Sequence, residues 1–153
     1  MSVEAQLEAL LSVAIGTLLA GIIGFDREWR HRQAGIRTHM LVGLGSSLIV
    51  SMAHLQYGYD SAARLASGVI SGIGFLGAGV IVQRRDRVHE LTTAASIWVV
   101  AMIGITAGAR LYVLATGATA IGWFVLTVLR RLTKHHVPPM EEDGPEPDES
   151  GAR

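Results

Sequence analysis

The densest group of side chains that could support chemistry lies between Gly24 and His39. It interleaves carboxylates with arginines, and its candidate functional residues are Asp26, Arg27, Glu28, Arg30 and Arg37. Anchoring at a membrane boundary accounts for the arginines, but it does not require the two carboxylates. Interleaved charges of this kind either fix a loop through ion pairs or bind an anionic partner, and the sequence leaves both interpretations open.

The remaining acids and histidines give no positive support for a metal site. A pathway for Mg²⁺ or Ca²⁺ usually needs oxygen ligands, and carboxylates are the strongest of these. His39 and His54 lie near the two ends of one apolar segment, where an interfacial or hydrogen-bonded histidine is a simpler interpretation than a metal ligand. We therefore predict neither a metal site nor a cofactor. The acids nearest the apolar segments all fall at segment ends: Glu8, Asp26, Asp60 and Glu90.

Motifs typical of enzymes are missing or misplaced. Residues 72–77 match the dinucleotide-binding pattern G-x-G-x-x-G, but they lie inside an uncharged apolar stretch without the strand and helix that this motif requires. The single lysine, Lys134, follows no glycine loop, so a P-loop is absent. The chain has no cysteine, and its formal net charge of zero offers no basic surplus for nucleic acid. We predict that the protein is not an enzyme and binds no nucleic acid.

The elements that must position these residues are membrane helices. Half of the 153 residues are hydrophobic, and five uncharged stretches approach the length of about 20 residues that a membrane-spanning helix needs. No basic residue precedes the first stretch, so we expect a retained helix rather than a signal peptide. A tight turn at Ala107–Leu111 would join the last two. The sequence predicts an all-α, polytopic membrane bundle with spans at 9–25, 38–56, 65–83, 91–109 and 111–129.

The distribution of basic residues predicts the orientation of this bundle. Of the 13 basic residues, only Arg64 and Arg110 fall on one side of the membrane. Because arginine and lysine are enriched in cytoplasmic loops, we predict an outside N-terminus and a cytoplasmic C-terminus. All three tyrosines, Tyr57, Tyr59 and Tyr112, then lie near the outer boundary, as in an aromatic belt.

Two parts of opposite charge cancel to give the net charge of zero. We divide the chain into a transmembrane domain, residues 1–134, and a tail, residues 135–153. The tail holds all four prolines and six acids against one arginine, so we predict a disordered cytoplasmic segment. Its charge would allow it to mask the arginine-rich loops in a salt-dependent way.

Small residues recur at four-residue spacing within the predicted spans, a pattern that permits close approach of helices in lipid. The third span is the richest in glycine and is expected to be the central helix or the contact in a homo-oligomer. A path for an ion beside these glycines is the alternative. The candidate packing or pore residues of this span are Gly72, Gly74, Gly77 and Gly79.

Three motifs together resemble the MgtC/SapB family of bacterial inner-membrane proteins, and the resemblance covers roughly residues 9–129. The first is GFDREWRHRQAGIRTHMLVGLGSS at Gly24–Ser47, and the second is SGIGFLGAGVIV at Ser71–Val82. The third is LTTAASIWVVAMIGITAG at Leu91–Gly108. Their order and spacing also fit the family, so the combination is highly specific.

The resemblance implies a plasma-membrane protein linked to growth at low magnesium and, in pathogens, to survival inside macrophages. Founding members are proposed to inhibit the F-type ATP synthase through its membrane sector. An asparagine important in virulence members maps onto Thr92, so this chain departs there; we otherwise expect Thr92 and Thr93 to cap the fourth helix. The chain resembles a short form of the family without the soluble ACT-like domain. The family's acidic and arginine positions map onto Asp26, Arg27, Arg30 and Arg37.

Two functions remain open at the level of sequence. The first is a regulatory protein that acts by helix–helix contact on a membrane partner, such as the F-type ATP synthase, or on itself. The second is a channel or transporter for an ion or small solute, including magnesium, with the glycine-rich third span lining the path.

Overall fold

Five apolar helices make up most of the described chain, which confirms the predicted all-α bundle. The structure is a computed structural model that describes residues 2–84 and 87–129, so the predicted tail lies outside the described residues. All five helices are long and apolar enough to cross a membrane. The elements in order are α1 (Val3–Trp29), α2 (Ile36–Tyr57), α3 (Tyr59–Val80), β1 (Val82–Arg84), β2 (Arg87–His89), α4 (Leu91–Gly108) and α5 (Tyr112–Phe124), which continues as a π-helical segment, Val125–Leu129.

The predicted tight turn between the last two spans is confirmed. Helix α4 ends at Gly108, and Arg110 takes a positive φ of 65°. The Leu111 amide donates a hydrogen bond of 3.1 Å to the Thr106 carbonyl, which closes the turn. The chain therefore reverses direction within three residues before α5 begins.

This turn is fastened to the first part of α1. The Arg110 guanidinium lies 2.7 Å from a Glu8 carboxylate oxygen, and the Tyr112 hydroxyl lies 2.8 Å from the Ser12 hydroxyl. Ser12 is fully buried. One end of the bundle is thus held by polar contacts between α1 and the α4–α5 turn.

Several predicted boundaries are wrong. The first span begins at Val3 rather than at residue 9, and the third begins at Tyr59 rather than at residue 65. The polar cluster predicted as a loop from residue 26 begins on a helix, because α1 continues to Trp29 and places Asp26, Arg27 and Glu28 on its last turn. The third span ends at Val80 rather than at residue 83. It ends early because β1 leaves the helix to pair antiparallel with β2, with the backbone at position 82 opposite that at position 89.

Helices α1, α2 and α4 form the centre of the bundle, and α3 and α5 pack on its flanks. In the apolar, membrane-spanning part of α4, 56% of the residues are buried, compared with 6% in that of α3. Of the two expectations for α3, the central position is therefore wrong, and the contact in a homo-oligomer stays a prediction. Most glycines of α3 face away from the bundle. Added Cβ atoms at Gly72, Gly74 and Gly79 would meet nothing within 4 Å, whereas one added at Gly77 would lie 3.7 Å from the Ala94 carbonyl oxygen of α4.

The central helices meet through their backbones at a set of glycines. A Cβ atom added at Gly43 of α2 would lie 2.9 Å from the Gly16 carbonyl oxygen of α1, and one at Gly104 of α4 would lie 2.7 Å from the Gly43 carbonyl oxygen. These distances are too short for any side chain, so the contacts require glycine. Small residues allow such backbone approach, which is a main source of helix association in lipid.

We predict opposite effects for two glycine-to-alanine changes in α2. Gly43→Ala should lower the free energy of unfolding by about 1–3 kcal/mol, because the new methyl group has no space. Gly45→Ala is the matched control. It lies in open surroundings and should be neutral or stabilise the helix by roughly 0.5–1 kcal/mol. Unfolding of the purified protein in detergent measures both, and equal stabilities of the two variants would contradict the packing described above.

Candidate functional site

A buried polar network joins the ends of three helices, where α1 ends and α2 and α4 begin. Arg27 on the last turn of α1 is only 2% exposed, and its Nη2 donates a 2.6 Å hydrogen bond to the Thr93 hydroxyl of α4. That hydroxyl donates in turn to the Glu90 carboxylate. The other oxygen of Glu90 lies 3.7 Å from Nη1 of Arg32, in the loop between α1 and α2. The four side chains therefore form a continuous chain across three elements.

The charges of this network suit their positions on the helices. Arg27 lies at the C-terminal end of α1, where the helix dipole favours a cation, and Glu90 is the residue that precedes α4, where the dipole favours an anion. A buried charge is costly unless a partner compensates it. Glu90 also has a positive φ of 66°, a conformation that persists in a non-glycine residue when its surroundings hold it.

A second branch of the network is built around His39. This side chain is fully buried, and its Nδ1 lies 2.8 Å from the Gly35 carbonyl oxygen. Its Nε2 lies 3.1 Å from the Ser96 hydroxyl, which donates to the Thr93 carbonyl at 2.8 Å. His39 is therefore a hydrogen-bonded histidine, as predicted, but it lies in the core rather than at the interface.

The carboxylates of Asp26 and Glu28, which membrane anchoring does not require, stabilise the end of α1 and the start of α2. Both oxygens of Asp26 accept hydrogen bonds of 2.9 Å from Nε of Arg30, and one lies 3.3 Å from the Thr127 hydroxyl in the π-helical segment. Glu28 accepts a 2.7 Å hydrogen bond from the Ile36 amide and so caps α2 from the end of α1. Of the two carboxylates, Asp26 pairs with an arginine, whereas Glu28 binds a backbone amide of the next helix.

We define the rim of the network as Arg30, Arg32 and Arg37, of which Arg30 and Arg32 are paired with the carboxylates of Asp26 and Glu90. The side chains of Arg30 and Arg32 are 22% and 34% exposed, and Arg37 on the first turn of α2 is exposed. Within the described residues, no group of three His, Cys, Asp or Glu side chains is placed to hold a metal ion. The arrangement can join elements through ion pairs and can offer guanidinium groups to an acidic surface.

The structure pairs Asp26 with Arg30 and joins Arg27 to Thr93, but Thr92 is separate from both pairs. Thr92 is exposed, whereas its neighbour Thr93 is fully buried in the network. The prediction that both threonines cap α4 is wrong, since Glu90 is the N-cap residue and makes no side-chain cap bond. Thr93 instead uses its hydroxyl to link Arg27 to Glu90.

The sequence interpretation selected Arg27, gave Thr93 and Glu90 other roles, and missed Ser96 and Arg32. Thr93 and Ser96 are three residues apart and share one face of α4, a spacing that would have indicated a common partner. Arg27 follows the buried Ala20 and Ile23 at seven and four residues, so the helical period already placed it on the inner face. Arg32 and Glu90 gave no comparable signal, because they meet across different loops.

Comparisons with known proteins agree with the three motifs. The model of the MgtC family matches residues 13–135. The chain is 44% identical over 117 residues to "Protein MgtC" of Brucella abortus, covering 76% of this chain and 49% of that protein. It is 35% identical over 136 residues to "Putative magnesium transporter YhiD" of Escherichia coli K12, covering 82% and 62%. "Protein MgtC" of Salmonella typhimurium LT2 is 40% identical over 112 residues, covering 73% and 48%.

The chain spans about half the length of the proteins named MgtC that it matches. No solved structure matches it. The matched region includes all five helices from the third turn of α1 onward, and it therefore contains the whole polar network.

We predict that the Thr93 hydroxyl stabilises the bundle. Thr93→Val keeps the shape of the side chain but removes the link between Arg27 and Glu90, which should cost about 1–3 kcal/mol of unfolding free energy because buried charged groups lose a hydrogen bond. Thr92→Val, at the exposed neighbouring position, should change stability by less than about 0.5 kcal/mol. Denaturation of both variants in the same detergent makes the comparison, and a Thr93→Val protein as stable as Thr92→Val would contradict the role of the network.

Proposed function

Because the chain belongs to the MgtC family, we propose that it is a non-enzymatic protein of the bacterial inner membrane that regulates a membrane partner during adaptation to low magnesium. The observation that carries this proposal is the polar network from Arg27 through Thr93 and Glu90 to Arg32. It fixes one rim of the bundle and leaves arginine side chains at the surface. A fixed and charged rim suits recognition of another protein.

The closed centre of the bundle supports regulation rather than conduction. Where α1, α2 and α4 meet, Gly16, Gly43 and Gly104 bring the backbones into direct contact. The neighbouring core is filled by aliphatic side chains such as Ile23, Val100 and Ile103. This packing supports a protein that acts through its surfaces.

We further propose that the rim of the network faces the cytoplasm and that the N-terminus is outside. The arginines Arg30, Arg32 and Arg37 gather at this end, in agreement with the enrichment of basic residues in cytoplasmic loops. The partner proposed from the family resemblance is the membrane sector of the F-type ATP synthase. A basic rim beside apolar helices suits a partner with acidic loops next to its own membrane helices.

A channel or transporter is the second candidate, and two observations favour it. One similar protein carries the name "Putative magnesium transporter YhiD". In addition, buried hydroxyl groups occur along α2 and α4 at Ser47, Ser51 and Ser96, from the network to the Gly108 end of α4. Their hydroxyls donate to backbone carbonyls, including that of Gly43 from Ser47 at 2.7 Å, so they also have a structural role.

Growth at low magnesium tests the regulatory proposal. Asp26→Asn keeps the size of the side chain but removes the charge that holds Arg30 and contacts Thr127. We expect this variant to enter the membrane at the normal level and to lose the ability to restore growth of a strain that lacks the gene. Glu4→Gln, at an exposed position on the first turn of α1, is the control and should retain full growth. Full growth with Asp26→Asn would contradict the role proposed for the rim.

Flux measurement separates the two candidate functions. Purified protein in liposomes that contain a magnesium-sensitive dye should give no Mg²⁺ entry above that of empty liposomes if the protein is a regulator. Ser96→Ala removes one of the buried hydroxyl groups along α2 and α4. Mg²⁺ entry that disappears in this variant would instead establish transport along these two helices.

A further inference from the structure

The outward side of α3 is formed mostly by small residues. We define the α3 outer face by six exposed residues that share one side of the helix: Ser67, Gly68, Ser71, Gly72, Phe75 and Gly79. The opposite side of α3, which includes Ala62 and Gly77, is buried against the bundle. We propose that the α3 outer face is the contact surface between two copies of this chain.

The composition of the α3 outer face is unlike that of a surface covered by lipid. Other helices expose large aliphatic side chains, such as Leu18 at 64%, Val113 at 90% and Ile121 at 67%. On the α3 outer face, added Cβ atoms at Gly68 and Gly72 would meet nothing within 4 Å. Lipid chains gain nothing from bare backbone, whereas a second helix packs closely against it. The absence of bulk therefore indicates a protein partner.

Phe75 makes this face complementary to itself. It is 87% exposed and is the one large side chain among small neighbours. In a twofold-symmetric contact, the same surface of each copy meets the other copy. Phe75 of one copy therefore faces the α3 outer face of the other. The ring of each Phe75 then fills the open space beside the glycines of the other copy's α3. A different membrane protein would need to supply both features independently.

Two charged residues at the start of α3 give a second, independent reason to expect a contact between two copies. Asp60 and Arg64 are exposed, lie one turn apart and border the α3 outer face. Within residues 2–84 and 87–129, neither takes part in an ion pair, and Arg64 donates only to the half-buried Ser61 hydroxyl, at 3.2 Å. Side chains on a helix lean toward its N-terminus, so in a parallel pair each Arg64 reaches toward the partner's Asp60. Two reciprocal ion pairs result, and they set the register and direction of the contact.

This contact is separate from the polar network. α3 contributes no residue to the chain from Arg27 to Arg32, so the proposal does not rest on the proposed function. A dimer through α3 leaves the arginine rim of each copy accessible. Failure of one proposal therefore leaves the other intact.

Cysteine crosslinking tests the contact directly, because the chain has no cysteine of its own. Ser71→Cys replaces one small side chain by another on the α3 outer face, and Ala120→Cys at an exposed position of α5 is the matched control. Full-length variants in native membranes are oxidised with copper phenanthroline and run on a non-reducing gel. We expect Ser71→Cys to give a dimer that reductant reverses and Ala120→Cys to remain a monomer.

Charge exchange then tests the direction of the contact. Asp60→Arg or Arg64→Asp alone should reduce crosslinking through Cys at position 71, and the two changes together should restore it. Ser67→Cys on the neighbouring row of the same face serves as a second probe if the first gives no product. Absence of a dimer with both probes, a crosslink to a different protein, or equal crosslinking of the α5 control would each overturn the proposal.

Discussion

Direct backbone contact between α1, α2 and α4 is the constraint on which the rest of the structure depends. In lipid the apolar side chains of a helix gain little by leaving the surrounding hydrocarbon, so helices associate where their backbones can approach closely. Gly43 lies at the centre of this contact, between the Gly16 carbonyl and Gly104. The approach of the helices at this point brings the ends of α1 and α4 close enough for Arg27 to reach Thr93. The polar network is therefore a consequence of the glycine contacts.

The network in turn determines what the protein presents to its surroundings. Burial of Arg27 is costly in an apolar environment, and retained buried charges often specify one arrangement of elements rather than add stability. Here that arrangement orders the loop between α1 and α2 through Arg32 and the start of α4 through Glu90. Asp26 extends the ordering to the end of α5 through Thr127. A rim held in this way gives a partner a surface of constant shape, which is the physical basis of the regulatory proposal.

The sequence predicts the elements better than their arrangement. Uncharged length predicts all five helices, and the single charge at Arg110 correctly places the turn between the last two. Small residues at four-residue spacing occur in both α2 and α3, however, and this pattern cannot tell a central glycine such as Gly43 from an outward one such as Gly72. The hairpin of β1 and β2 also escapes prediction, since its short strands form by pairing with each other. The helical period of α1 is enough to predict that Arg27 faces inward. The pairing of Glu90 with Arg32 cannot be predicted in this way, because the two residues come from different loops that meet only in the folded protein.

ATP-driven proton pumping by the F-type ATP synthase is the most direct test of the central claim, that the protein regulates a membrane partner. The synthase and this protein are reconstituted together in liposomes, and acidification of the lumen is followed after ATP is added. The account predicts slower acidification with the wild-type protein and normal acidification with the Asp26→Asn variant, at equal amounts in the membrane. Acidification that is the same with and without the wild-type protein would contradict it.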